Sequence, residues 1–268
     1  MTDTGTTFRD LHRKGDPFVL ANVWDAGSAK VMAALGARAL ATSSAAHAFT
    51  LGRPDGGTVG RDEALAHAEV IVAATPLPVQ GDFENGFGDA PEVCAETVRL
   101  AAEAGLAGIC IEDTHLPGEG FYAFDLAVER IRAAASAARA LARDFVLTAR
   151  ADGLLTGRYD EAEAIRRLQA FEAAGADCLY APLPDDMDAQ ARICAAVSAP
   201  VNALISGRFA GVPRAEFAAA GVARLSLGSS LARACHRTLI DAGTAVLSGD
   251  FTPLTRTAPG EEVDPLLS

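Results

Sequence analysis

The chain has 268 residues, half of them apolar, with 22% charged residues and a formal net charge of -12. That apolar fraction is enough for one large core, and a single α/β barrel commonly takes about 250 residues. The acidic balance argues against nucleic acid or an anionic membrane surface as partner, and a small anionic ligand would need a local cation to draw it in.

The opening residues, 1–16, are polar and charged with no apolar run of signal-peptide length, so a cytoplasmic protein is expected. No stretch approaches the roughly 18 apolar residues of a membrane span. Cys94, Cys110, Cys178, Cys194 and Cys235 are scattered without a C-x-x-C pair, which points to reduced thiols rather than disulfides or zinc.

From residue 18 onward the chain alternates β-rich runs with Ala-rich helical stretches. The runs are FVLANVWD (18–25), ALATSS (39–44), PVQGDFE (78–84), GICIED (108–113), FVLTARAD (145–152), CLYAPL (178–183), PVNALIS (200–206) and ARLSLG (223–228). Helices are predicted between them near 28–35, 61–74, 91–104, 125–142, 160–174, 187–197, 213–220 and 229–246. Near-continuous apolar strands separated by helices indicate a parallel sheet covered on both faces. Gly36, Gly105, Gly175 and Gly221 each stand just before a strand, where glycine can end a helix in the left-handed conformation. Eight such units favour a closed (β/α)8 TIM barrel spanning 1–248 as one domain. An open doubly wound sheet is the alternative, without the G-x-G-x-x-G of a dinucleotide site. The Pro- and Gly-punctuated stretch 249–268 reads as a C-terminal tail, either loosely ordered or packed on a neighbouring subunit.

In such a barrel the active site lies at the C-terminal ends of the strands. Polar residues close seven of the eight runs: Asp25, Ser43 and Ser44, Asp82 and Glu84, Glu112 and Asp113, Arg150 and Asp152, Asn202 and Ser206, and Ser226. Any one of them could be a helix cap. Together they suggest a site. Asp82 and Glu84 are two apart, which on a strand places them on one face, and Glu112 closes the next run. Three converging carboxylates repel one another, and a hard divalent cation with oxygen ligands relieves that repulsion. Mg2+ with retained waters suits the set, Mn2+ is the alternative, and zinc lacks the His or Cys it prefers. The competing reading turns Glu84 toward the outer helices or pairs the acids with arginine. Only Lys14 and Lys30 are present, the first ahead of the barrel and the second in the first helix, so a Schiff-base aldolase is excluded.

The run DFENGFG at 82–88, followed by IED at 111–113 and ARAD at 149–152, resembles the isocitrate lyase/phosphoenolpyruvate mutase superfamily. NVWDAGSAK (22–30), TSSAA (42–46), LGRPDGG (51–57), VNAL (201–204) and GVARLSLGSS (221–230) extend the likeness in order along the chain. The resemblance implies that Asp82, Glu84 and Glu112 hold Mg2+ directly or through water, with Asp55 as an outer partner. It implies that Ser43, Ser44 and Ala45 cradle an α-keto-acid carboxylate through backbone N–H groups, and that Arg150 contacts substrate oxygens. Trp24 and Asp25 would line or brace the pocket, and Asn202 would lie near the substrate. The superfamily also suggests a last helix exchanged between subunits of a dimer or tetramer.

The loop after the fourth run departs from the pattern. Isocitrate and methylisocitrate lyases carry K-[KR]-C-G-H there, and the mutases carry a longer loop with Lys and Asn; this chain reads EDTHLPGEGFYAFD. His115 remains as a candidate acid or base, with Glu119 and Tyr122 nearby, and Gly118 and Gly120 could let the loop close as a lid. His47 is a second candidate at the pocket mouth. The expected function is a Mg2+-dependent lyase or decarboxylase of a small 2-oxo or 2-hydroxy carboxylate, with oxaloacetate favoured. A carbon–phosphorus mutase or hydrolase, and a non-catalytic carboxylate-binding barrel, are the alternatives.

Overall fold

A computed structural model describes residues 3–268. Helix α1 (Thr4–Asp10) precedes the barrel. Then come β1 (Phe18–Asn22), α2 (Ala26–Ala34), β2 (Leu40–Ala41), α3 (Ser44–Thr50), α4 (Arg61–Ala73), β3 (Val79–Asp82) and α5 (Pro91–Glu103). They are followed by β4 (Gly108–Glu112), α6 (Phe124–Arg139), β5 (Val146–Arg150), α7 (Gly153–Thr156), α8 (Glu161–Ala174), β6 (Cys178–Tyr180) and α9 (Met187–Ala195). The last elements are β7 (Val201–Leu204), α10 (Arg214–Ala219), β8 (Arg224–Ser226), α11 (Ser230–Leu247) and α12 (Gly260–Val263). Each strand pairs in parallel with its sequence neighbour, and β8 pairs with β1, so the sheet closes as an eight-stranded (β/α)8 barrel.

The four expected helix stops hold, each glycine having positive φ. Slim alanine faces let the helices lie close: α6 buries Ala127, Ala134, Ala135, Ala137 and Ala138. Outward-facing strand residues such as Ile109, Leu147 and Leu179 meet Val98, Ile131, Leu168 and Phe171 from the helices in one continuous core. Alternate strand residues face the barrel axis, and many are polar: Asn22, Gln80, Asp82, Arg150, Asn202, Arg224 and Ser226 line one narrow interior cavity of about 40 Å³. Helix α1 closes the lower end, where Phe8 and Leu11 pack with Phe18 and Leu20.

Two features differ from expectation, and a third bears on the last helix. Helices α1 and α3 form within stretches where the sequence suggested only polar leader and strand end. The tail is not loose: it folds into short helical turns, and Lys30 Nζ donates to the carbonyl of Leu267 at 2.6 Å. Helix α11 follows β8 but buries only Ala232, leaving Leu239, Ile240 and Leu247 (91% exposed) in solvent. Val19, on the outward face of β1, is correspondingly 42% exposed.

Candidate active site

The strand ends bring a charged cluster to the upper rim of the barrel. Asp82 closes β3 pointing inward; its Oδ2 accepts from the Ser44 amide and the Ser44 hydroxyl, both at 2.9 Å. Its own N–H donates to Thr42 Oγ1 at 2.8 Å. Glu84 arrives by a different route from the expected one. Strand β3 ends at Asp82, and Glu84 sits in the following turn with φ +44°, so strand alternation does not place it beside Asp82. A non-glycine residue in this region is strained and persists when its surroundings fix it. Here Glu84 Oε1 accepts from the Gly57 amide at 2.9 Å. Burial first, then the charges of Asp82 and Asp55, push its carboxyl up to about 7. Asp55, on the loop that carries Gly57, is also raised by desolvation and by Asp82.

Glu112, at the end of β4, is buried, and burial raises its carboxyl well above the ordinary range. It faces Arg150 across the adjacent strand end, Oε2 to Nη1 at 3.1 Å. Arg150 is also gripped by Asp152, whose Oδ1 accepts from Nε and pairs with the guanidinium. Two acids therefore stabilise one buried cation, more than offsetting the burial that works against its charge. The alternative in which the acids pair with arginine thus applies to Glu112.

Of the other expected residues, Ser43, His47 and Asn202 border the same cavities as Asp82, while Asp25 and His115 do not. Asp25 is exposed and caps α2, accepting from the Ser28 amide at 2.6 Å in a reciprocal capping box. Ser43 caps α3, and Ala45 is buried within that helix. The Trp24 carbonyl accepts from His67 Nε2 at 2.8 Å. His47 stacks on His67 with centroids 3.7 Å apart, beside Ser44, Asp82 and Glu84. Asn202 is buried in the barrel interior, donating to Ser226 Oγ and accepting from Arg224 Nε, both at 2.8 Å. His115 is engaged within its own loop region: its Nε2 lies 3.4 Å from Asp89, and its ring packs on Tyr122. The loop that carries it lies over the mouth, since a Cβ on Gly57 would come within 2.8 Å of Pro117 Cα. A cleft of about 570 Å³ opens beside Gly57, Glu84, Asn85 and Pro117.

Sequence reasoning overlooked the joint made by Asp113, Tyr159 and Arg167 behind Arg150, and the Arg224 network beneath it. A polar residue in mid-strand was the available signal for the second, as at Gln80 and Arg224. The first carried none, because α8 reads as an ordinary amphipathic helix.

The donor set fits a hard divalent cation. Asp82, Glu84, Glu112 and Asp55 supply oxygen only, and burial with mutual repulsion raises the last three, a cost that a cation would remove. Among the described residues no three acidic, His or Cys groups sit close enough for a full set of direct ligands. An ion that keeps waters, held by one or two carboxylates, matches that spacing.

The phosphoenolpyruvate phosphomutase family model matches residues 8–247. The 2,3-dimethylmalate lyase of Eubacterium barkeri is 30% identical, the alignment covering 93% of this chain and 88% of that protein. The oxaloacetate decarboxylase of Chromohalobacter salexigens is 31% identical, covering 82% and 77%. A solved structure from Burkholderia cenocepacia J2315, named provisionally as a lyase or mutase, is 45% identical with a TM-score of 0.94, covering 99% of this chain and 95% of that one.

Proposed function

The chain belongs to the isocitrate lyase/phosphoenolpyruvate mutase superfamily, and on that premise we propose that it is a Mg2+-dependent carbon–carbon lyase that decarboxylates oxaloacetate or a close 2-oxo dicarboxylate. The observation that carries this reading is the pairing of a fixed cation, Arg150, with a nest of carboxylates at one rim of the barrel. Asp82, Glu84 and Glu112 would hold Mg2+ (or Mn2+) directly or through water, with Asp55 in support. The ion would supply Lewis-acid polarisation of the 2-oxo group and of its carboxylate.

The chain's own groups do the rest. Arg150 binds the oxygens on which negative charge develops, and the segment from Ser43 to Ala45 orients the carboxylate through main-chain N–H groups. When the C3–C4 bond breaks, carbon dioxide leaves and the electron pair remains on C3 of an enolate, which a proton from water or the loop then converts to pyruvate. This reaction needs no dedicated cysteine acid, in keeping with the loop EDTHLPGEGFYAFD. The loop from Asp113 to Phe121 opens to admit substrate and shuts to exclude water. The enzyme works in the cytoplasm as a dimer or tetramer in which α11 lies on a neighbouring subunit; the solvent-exposed Leu239, Ile240 and Leu247 support this arrangement.

Incubating the protein with Mg2+ and oxaloacetate, 2-methylisocitrate or phosphonopyruvate, with EDTA controls, tests the reading through pyruvate release. Turnover of oxaloacetate alone, abolished by EDTA, is the expected result. Release from phosphonopyruvate instead would assign carbon–phosphorus chemistry, and oxalate binding without any turnover would assign a binding protein. Asp82→Ala should abolish Mg2+-dependent oxalate binding, measured by calorimetry, while the circular dichroism spectrum stays unchanged. Retained binding would remove Asp82 from the metal set.

A further inference from the structure

Behind Arg150, outside the substrate cavity, the structure contains a buried polar joint with no role in the chemistry above. Arg167 of α8 is buried, and its Nη1 donates to Asp113 Oδ2 at 3.0 Å and to the Tyr122 carbonyl at 3.1 Å. The same Asp113 oxygen accepts from Tyr159 OH at 2.9 Å. The other oxygen, Oδ1, accepts from the main-chain N–H of Asp152 at 2.8 Å. Asp152 is the residue whose carboxylate grips Arg150.

One carboxylate thus touches two machines. Toward β5 it fixes the backbone that presents Asp152 to the guanidinium of Arg150, and the Asp113 amide donates to the Arg150 carbonyl at 3.1 Å. Toward the rim it anchors the loop after β4. Asp113 begins that loop, Tyr122 ends it, and the Tyr122 amide donates to the Asp113 carbonyl at 2.9 Å. Tyr159 adds a second contact, its ring packing edge-on against Phe121 with centroids 5.4 Å apart. That ring lies so close over Gly153 that a Cβ there would stand 2.2 Å from it.

We propose that Arg167 and Tyr159 are positioning residues: by holding Asp113 they set the aim of Arg150 and clamp both ends of the 113–122 loop through one shared joint. The inference rests on the reading of Arg150 as the group that contacts substrate oxygens. Two acids already surround Arg150, so a small rotation could trade a substrate oxygen for Glu112 or Asp152, and a fixed Asp152 prevents that trade.

The test uses Tyr159→Phe, which keeps the ring over Gly153 and removes one donor, with Arg167→Lys and Arg167→Met on the full chain. Steady-state kinetics with oxaloacetate and Mg2+, and amide hydrogen exchange, are measured at a temperature where every variant is folded. Tyr159→Phe should lower kcat by on the order of tenfold, the scale of one lost buried hydrogen bond, with KM within about threefold. Arg167→Lys should recover part of the kcat that Arg167→Met loses. Exchange should quicken together at 113–122 and 150–153, and stay unchanged in α4. Wild-type kcat in folded Tyr159→Phe and Arg167→Met, or faster exchange in only one of the two segments, would overturn the joint. If the unmodified protein neither turns over oxaloacetate nor binds oxalate, the functional reading fails, and the exchange result alone decides the joint.

Discussion

Two arginines face the axis of this barrel, one at each end, and they are held by opposite means. Arg150 at the rim is gripped by two carboxylates, Glu112 and Asp152, with more acids close by. Arg224, at the start of β8, is 1% exposed and rests on neutral groups: Asn202 Oδ1 at 2.8 Å, Gln80 Oε1 at 2.7 Å, Thr148 Oγ1 at 3.2 Å and His12 Nε2 at 3.2 Å. An excess of negative charge around Arg150 leaves acids that can turn to an incoming cation while the arginine turns to an incoming anion. Around Arg224 the donors are satisfied by neutral acceptors, with no acid to release. On the proposed function, a buried arginine serves as a ligand group where its partners are oversupplied, and as a structural tie where they are just sufficient.

The largest effect should separate the two ends at once. Arg150→Lys keeps the charge but loses the planar fork, and should cut turnover of oxaloacetate by about 100-fold while the melting temperature moves by only about a few degrees. A comparable loss of stability with turnover intact would reverse the assignment. Arg224→Met should do the opposite: it strips Asn202 and Gln80 of a shared donor and should cost about 3 kcal/mol in urea unfolding, with activity per folded molecule within about twofold.

A smaller effect concerns pH. His12 donates through Nδ1 to the Phe8 carbonyl at 2.9 Å and presents Nε2 to Arg224, so the folded protein keeps the ring neutral. Burial, reinforced by the arginine, lowers its proton affinity from 6.5 to about 3. The unfolded chain binds a proton below pH 6.5 that the folded chain refuses until about pH 3. Stability contributed by this group is thus complete above 6.5 and is lost on acidification through that window, by up to about 1.4 kcal/mol per pH unit. Unfolding free energies measured from pH 7 to 4 should show a shallower slope in His12→Gln; an unchanged slope would place the acid sensitivity elsewhere. The smallest effect marks the edge of the site. Asp25→Ala should cost about 1 kcal/mol by removing the α2 cap, with kcat unaltered.

The alternation of strands and helices was legible because the strand runs are largely apolar and four of the helices stop at a glycine just before a strand. The rim acids were legible because polar residues close the strands. Glu84 was placed near Asp82 for the wrong reason, since residue-by-residue alternation stops where the strand does, and only the backbone shows the left-handed turn. Helix α1 was missed because its buried side comes down to Phe8 and Gly5 in a polar run, too sparse for a periodicity. Helix α11 was foreseen in extent; its apolar stripe does not say which surface it meets, and only the family resemblance suggested a helix placed off its own barrel, of which it buries only Ala232 here. His115 was attractive by chemistry alone. Its direction depends on Asp89, which no local spacing connects to it.

The contact of Tyr159 with Gly153 also bears on how this chain can change over generations. With the ring 2.2 Å from where a methyl group would stand, position 153 cannot accept even alanine unless the aromatic ring at position 159 is displaced. The two sites are bound to drift as a pair: descendants that acquire a side chain at 153 should already have traded Tyr159 for something smaller, and the order of those two steps is fixed by which intermediate can fold.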